Sequence, residues 1–62
     1  MNQKEKDIEA TTKALHSTSF LVKELQELMK TDTPFLSDLA LRDLESAVDI
    51  EIHLKRILTG LQ

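Results

Sequence analysis

The chain has 62 residues, no cysteine, eight basic against eleven acidic side chains and a net charge of −3. Chains this short bury little apolar surface, and they usually gain stability from disulfides, a metal or a second subunit. The absence of cysteine excludes disulfides and thiolate metal sites. The two histidines, His16 and His53, lie far apart in sequence, which argues against a structural zinc site. Oligomerisation is therefore the expected way to complete the core.

No stretch of the sequence approaches the ~20 apolar residues that cross a bilayer. Residues 1–7 are polar where a signal peptide would need an apolar core. The sequence therefore predicts a cytoplasmic protein without a membrane partner. Its length supports one domain, residues 1–62.

Residues 3–30 contain neither glycine nor proline and are mostly good helix formers, so they predict a first helix of about 42 Å. A turn at residues 31–33 follows. Thr33 is expected to cap a second helix over about residues 34–59, with Pro34 at its first position, where the missing N–H costs nothing. Gly60 is expected to end this helix in a left-handed cap. The predicted fold is all-α, an antiparallel two-helix hairpin.

The first helix carries an uninterrupted heptad pattern. Its a and d positions alternate in steps of three and four residues, which predicts one narrow seam against the second helix. These positions are Ile8, Thr11, Leu15, Thr18, Val22, Leu25 and Met29. Ala14, Leu21 and Leu28 widen the same stripe at the g positions.

The second helix carries more apolar surface than one partner helix covers. At about 100° per residue its apolar positions span roughly 220°, against the ≳ 100° that a surface helix needs. One stripe comprises Leu36, Leu39, Ala40, Ala47, Ile50, Leu54, Ile57 and Leu61; its neighbour comprises Leu41, Leu44, Val48 and Ile52. One stripe is expected to face the first helix, and the other a second molecule. The predicted dimer interface comprises Leu41, Leu44, Val48, Glu51, Ile52 and Lys55.

Glu51 and Lys55 are the charged residues within that broad arc, and they stand four residues apart in the favourable order. The expected arrangement is an ion pair at the margin of the interface, with the lysine stem covering apolar surface. The alternative is a polar pair that sets the register of the oligomer.

The charges are divided unevenly along an antiparallel hairpin. Residues 1–15 and 50–62 form the open end, with five basic and four acidic side chains; residues 16–49 form the loop end, with three basic and seven acidic ones. Pairing two hairpins head to tail brings each acidic end beside the other's slightly basic end. This favours an antiparallel four-helix bundle as the homodimer, although surface charges contribute little each.

The outer face of the first helix carries the candidate partner-binding residues. Phe20 lies at an f position, opposite the seam, in a group that comprises Lys6, Lys13, His16, Phe20 and Lys23. An exposed aromatic side chain among basic residues can anchor a protein interface or stack on a nucleobase while the lysines contact phosphates. The simplest alternative is that Phe20 only packs over a helix end. The sequence pI near 5.2 argues against general nucleic-acid affinity, so RNA is the lesser alternative.

A cysteine-free helical hairpin of roughly this length, beginning near Gln3-Lys4-Glu5-Lys6 and carrying a solvent-facing Phe20, resembles the Rop-type proteins. These are small plasmid copy-number regulators. The resemblance implies a dimeric antiparallel four-helix bundle whose first helices grip paired RNA stem-loops. His16 and Glu24 then stand where that family has neutral polar contacts.

Enzyme chemistry has little support, because the carboxylates are spread along helix positions and no glycine-rich phosphate loop is present. Nothing pairs a nucleophile with a base, and no cofactor or metal is expected. The sequence predicts a small dimeric regulator or adaptor that binds another protein, of the kind that phages and plasmids encode. The alternative is an RNA-binding modulator.

Overall fold

The computed structural model describes residues 2–62, which form two helices: α1 over Gln3–Leu28 and α2 over Pro34–Leu61. The helices pack against each other along their length, and the hairpin measures 49 × 15 × 11 Å. The predicted all-α hairpin is confirmed. Neither helix combines the length and the apolarity that a bilayer crossing would need, within the residues described.

Asn2 fixes the start of α1. Its side-chain Oδ1 accepts a hydrogen bond from the Glu5 N–H at 2.8 Å, which satisfies one of the amides left open at a helix start. The helix ends at Leu28, earlier than the predicted residue 30. The N–H groups of Lys30 and Thr31 donate to carbonyls three residues back, so the last turn tightens before the chain reverses.

Pro34 opens α2 as predicted, and Thr33 precedes it in an extended conformation. The predicted cap by the Thr33 side chain is wrong, because that side chain makes no capping hydrogen bond. The Thr33 N–H instead donates to Thr31 Oγ1 at 3.2 Å. The N–H groups of Leu36 and Ser37 both donate to the Thr33 carbonyl, so the backbone closes this helix start.

The predicted left-handed cap at Gly60 is wrong. Gly60 is helical, its φ is not positive, and α2 continues to Leu61. The Gln62 N–H donates to the Leu58 carbonyl at 3.1 Å, so the helical hydrogen bonding runs on past the glycine.

The seam follows the predicted heptad on α1, since all seven predicted a and d residues are half-buried. Its partner residues on α2 also follow heptad spacing and comprise Ala40, Leu44, Ala47, Glu51, Leu54, Leu58 and Leu61. Only Ala40 and Ala47 are fully buried among the residues described, at 1% and 2% exposure. Their small side chains lie where the helices meet.

The expectation that one whole stripe of α2 faces α1 is wrong. The seam runs along the middle of the apolar arc, so α1 takes Ala40 and Ala47 from one predicted stripe and Leu44 from the other. The reason is that α1 packs through its a and d positions, which form a narrow stripe. That stripe covers only the centre of the broader apolar arc on α2. Apolar residues therefore remain exposed on both sides of the seam.

Candidate functional site

Two strips of surface flank the seam, one on each side. The first, here called the apolar flank, consists of the c and g positions of both helices. It comprises Gln3, Asp7, Ala10, Ala14, Ser17, Leu21, Glu24 and Leu28 on α1, and Leu36, Leu39, Asp43, Ser46, Ile50, His53, Ile57 and Gly60 on α2. A surface groove of about 270 Å³ joins its two halves and is lined by Leu21, Leu25, Asp43, Ser46, Ala47 and Ile50.

The apolar flank holds five of the nine large hydrophobic side chains that are exposed on the described chain. They are Leu21, Leu28, Leu39, Ile50 and Ile57, each between 40% and 51% exposed. Three of the sixteen residues on this flank carry a charge, namely Asp7, Glu24 and Asp43. A large exposed apolar surface with few charges is typical of an interaction site.

The second strip, here called the charged flank, consists of the b and e positions. It comprises Glu5, Glu9, Thr12, His16, Ser19, Lys23 and Gln26 on α1, and Asp38, Leu41, Glu45, Val48, Ile52, Lys55 and Thr59 on α2. Six of these fourteen residues are charged, and the α1 half has no large apolar side chain. Its apolar part is thus confined to Leu41, Val48 and Ile52 on α2.

The structure divides the residues of the predicted dimer interface. Leu44 and Glu51 lie in the seam against α1 and are half-buried. Val48 is half-buried beside them, whereas Leu41, Ile52 and Lys55 are exposed on the charged flank. The exposed part of the set lies on α2 alone.

Glu51 contacts α1 rather than Lys55. Its Oε2 accepts a hydrogen bond of 2.6 Å from the Ser19 hydroxyl across the seam. The ion pairs within residues 2–62 join Lys13 to Glu9 and Lys30 to Glu27, so the expected Glu51–Lys55 pair is wrong. The pair does not form because Glu51 lies at a seam position, where the Ser19 hydroxyl of the facing helix donates to it.

The predicted partner-binding residues share the outer side of α1. Lys6, Lys13, His16, Phe20 and Lys23 are all exposed, with Phe20 at 64%. Lys13 Nζ lies 3.2 Å from Glu9 Oε1, which offsets one positive charge of this group. The outer face of α1 is therefore a mixed charged surface around one exposed aromatic ring.

Phe35 is a second exposed aromatic residue, and the sequence analysis did not single it out. It is 68% exposed in the first turn of α2, at an f position of the α2 heptad. Phe20 was identified as an aromatic residue that lies opposite the seam, and Phe35 has the same position relative to the α2 seam. The sequence did not reveal this position of Phe35, because the apolar pattern alone does not place the seam on α2.

Two further grooves lie on α2 alone. One of about 320 Å³ is lined by Ile52, Lys55, Arg56 and Thr59; another of about 430 Å³ is lined by Leu41, Leu44, Glu45, Val48 and Asp49. Both are shallow and open, unlike the concave sites that enclose most of a small ligand.

No protein-family model matches the sequence, and comparisons with curated proteins and with solved structures give no significant match.

Proposed function

We propose that the chain acts by association, as a homodimeric antiparallel four-helix bundle that regulates or links another protein without being an enzyme. The observation that carries this proposal is the exposed apolar surface. A compact monomer of 7.1 kDa has an accessible surface of about 4,100 Å², whereas this hairpin exposes 4773 Å². The hairpin thus leaves roughly 700 Å² more surface in water than a compact chain of its mass, and nine large hydrophobic side chains are exposed within the described residues.

The charge distribution supports the antiparallel arrangement. The open end carries a net charge of +1 and the loop end a net charge of −4, counted over the residue ranges 1–15 with 50–62 and 16–49. A head-to-tail dimer places unlike ends together along its 49 Å length, while a parallel dimer stacks two acidic ends. This difference in charge favours the antiparallel over the parallel dimer, but it contributes little to the affinity between the two copies.

The oligomeric state tests the proposal directly. Sedimentation equilibrium at micromolar concentration should report twice the chain mass of 7.1 kDa. Size-exclusion chromatography with light scattering gives the same mass by an independent route. A compact 7.1 kDa species that melts cooperatively would contradict the proposal, because it would show that the exposed apolar residues need no cover.

The partner-binding role rests on the outer face of α1, around Phe20. Phe20→Ala should leave the helical content and the melting temperature unchanged, because the ring is 64% exposed. Binding to the partner should be lost, since exposed aromatic anchors carry much of the energy of an interface. Phe35→Ala is the matched control, since Phe35 is exposed to a similar degree on the other helix.

The measurement is affinity capture with immobilised wild-type, Phe20→Ala and Phe35→Ala chains from an extract of cells that express the protein. A protein retained by the wild type and by Phe35→Ala, but not by Phe20→Ala, is the expected result. The same set of proteins on all three chains would contradict the role of this face.

RNA is the second candidate partner, favoured by the exposed lysines that surround Phe20: Lys6, Lys13 and Lys23. The overall charge of −3 opposes it. Salt separates the two candidates, because binding through phosphates weakens steeply as salt rises. A complex with RNA whose affinity is the same in low and moderate salt would exclude phosphate recognition by these lysines.

A further inference from the structure

We infer that the second copy of the chain docks on the apolar flank, and not on the charged flank that carries the exposed part of the predicted interface. This inference rests on the proposed homodimer and assigns its contact surface. The proposed occupant is an identical hairpin, seated face to face across a two-fold axis.

The apolar flank draws its apolar residues from both helices. Its c and g positions hold Ala10, Ala14, Leu21 and Leu28 on α1, and Leu36, Leu39, Ile50 and Ile57 on α2. A four-helix bundle needs such a face on both helices of a hairpin, because each helix in the bundle packs against two neighbours.

The two flanks differ in the number of charged residues. The apolar flank carries three charged residues, and the charged flank six on a smaller set. Interface cores are depleted in charged residues, since each buried charge must be desolvated and paired. Burial of the charged flank would desolvate six charged side chains per copy, against three on the apolar flank, namely Asp7, Glu24 and Asp43.

The apolar flank has the area that a dimer interface needs. A face as long and as wide as the hairpin, 49 × 15 Å, covers roughly 700 Å², close to the ~800 Å² per partner of a standard interface. The apolar flank has large exposed side chains from both helices across this width, namely Leu21 and Leu28 on α1 with Leu39, Ile50 and Ile57 on α2. The charged flank has Leu41 and Ile52 on α2 alone.

Residue size supports the antiparallel orientation on this face. The N-terminal half of α1 presents Ala10, Ala14 and Ser17 to the flank, and its C-terminal half presents Leu21 and Leu28. In an antiparallel dimer the two-fold axis lies in the interface, perpendicular to the long axis of the hairpin. It packs the α1 helices of the two copies against each other in opposite directions. With the axis near the middle of α1, Ala10 of one copy faces Leu21 of the other and Ala14 faces Ser17, so Leu21 packs over a small residue.

The test compares matched lysine substitutions by sedimentation equilibrium. Leu21→Lys and Ile50→Lys alter the apolar flank; Leu41→Lys and Ile52→Lys alter the charged flank at positions of similar exposure. The first pair should weaken dimerisation at least a hundredfold, and the second pair less than tenfold. The opposite pattern, or an equal effect of both pairs, would overturn the inference.

A second measurement does not depend on destabilising the dimer. The chain has no cysteine, so Ser17→Cys and His16→Cys each introduce a single thiol. Ser17 lies on the apolar flank near the middle of α1, whereas His16 lies on the charged flank. A short bismaleimide should link Ser17→Cys chains into dimers and leave His16→Cys chains largely unlinked. Any other ranking of the two variants overturns the inference.

The two proposals fail in different ways. A wild-type chain that sediments as a monomer overturns the proposed function, and the interface with it. A wild-type dimer that survives Leu21→Lys and Ile50→Lys overturns the interface alone.

Discussion

The Ser19–Glu51 hydrogen bond is the polar contact between side chains of the two helices, within residues 2–62. It joins a half-buried hydroxyl to a half-buried carboxylate at 2.6 Å. A carboxylate at a seam position is tolerated when a donor on the facing helix satisfies it, and it costs stability when that donor is removed. The contact joins residues 32 positions apart in the sequence, so it forms only in the register that the helices adopt here.

Ser19→Ala is therefore expected to destabilise the protein by about 1 kcal/mol relative to Ser17→Ala. Both substitutions exchange serine for the better helix former, and only the first removes a hydrogen bond between the helices. Urea unfolding followed by circular dichroism measures the difference. Equal midpoints for the two variants would show that the Ser19 hydroxyl contributes nothing to stability.

The two helix starts give a second prediction at the scale of single residues. Asn2→Ala should cost about 1 kcal/mol, because the Asn2 side chain accepts the Glu5 N–H. Thr33→Ala should cost less, because the Thr33 side chain makes no such bond. Thermal melts of the two variants make the comparison. A larger loss for Thr33→Ala would mean that its hydroxyl caps α2 after all.

At the scale of the helix, the sequence predicted the α1 stripe correctly and the end of α2 wrongly. The stripe of α1 is a simple repeat whose seven residues all face one way, so periodicity alone places it. Gly60 carried a local signal for a left-handed cap, but that conformation forms only where the chain turns away from the helix axis. With Leu61 and Gln62 following, the helical hydrogen bonds continue instead.

Gly60→Ala is expected to stabilise the protein by up to about 1 kcal/mol, since alanine is the better residue inside a helix. A Cβ added at Gly60 meets no atom within 4 Å, so the substitution introduces no clash in the hairpin. Differential scanning calorimetry should show a higher melting temperature than that of the wild type. A lower melting temperature would indicate the left-handed cap that the sequence suggested.

At the scale of the whole molecule, stability and association are expected to be one property. The radius of gyration of the hairpin is 14.5 Å, against about 11 Å for a compact domain of this length, and two alanines are its only fully buried residues among those described. A hairpin of this shape leaves apolar side chains in water. The second copy would supply the missing core.

The melting temperature should therefore rise with protein concentration. For a folded dimer in equilibrium with unfolded chains, a hundredfold increase in concentration adds about 2.7 kcal/mol of stability. In a domain this small that corresponds to a shift of several degrees or more. Calorimetric scans over this range, repeated with Leu21→Lys, measure the effect. A melting temperature that does not depend on concentration would contradict the link between folding and association.

The sequence by itself determined the hairpin. Pro34 and the residues around it break one helical run into two, and the heptad of α1 predicts the face that it turns to its partner. These features are local, since each depends on spacing within one helix. Local spacing is what a sequence displays directly.

Only the tertiary structure decided which strip of α2 the first helix covers. The apolar arc of α2 is about twice as wide as one helix can cover, so periodicity leaves several placements open. The structure places the seam over Ala40 and Ala47, where small side chains bring the helices together. That choice leaves Leu39, Ile50 and Ile57 beside Leu21 and Leu28 on one flank, a surface that neither helix defines alone.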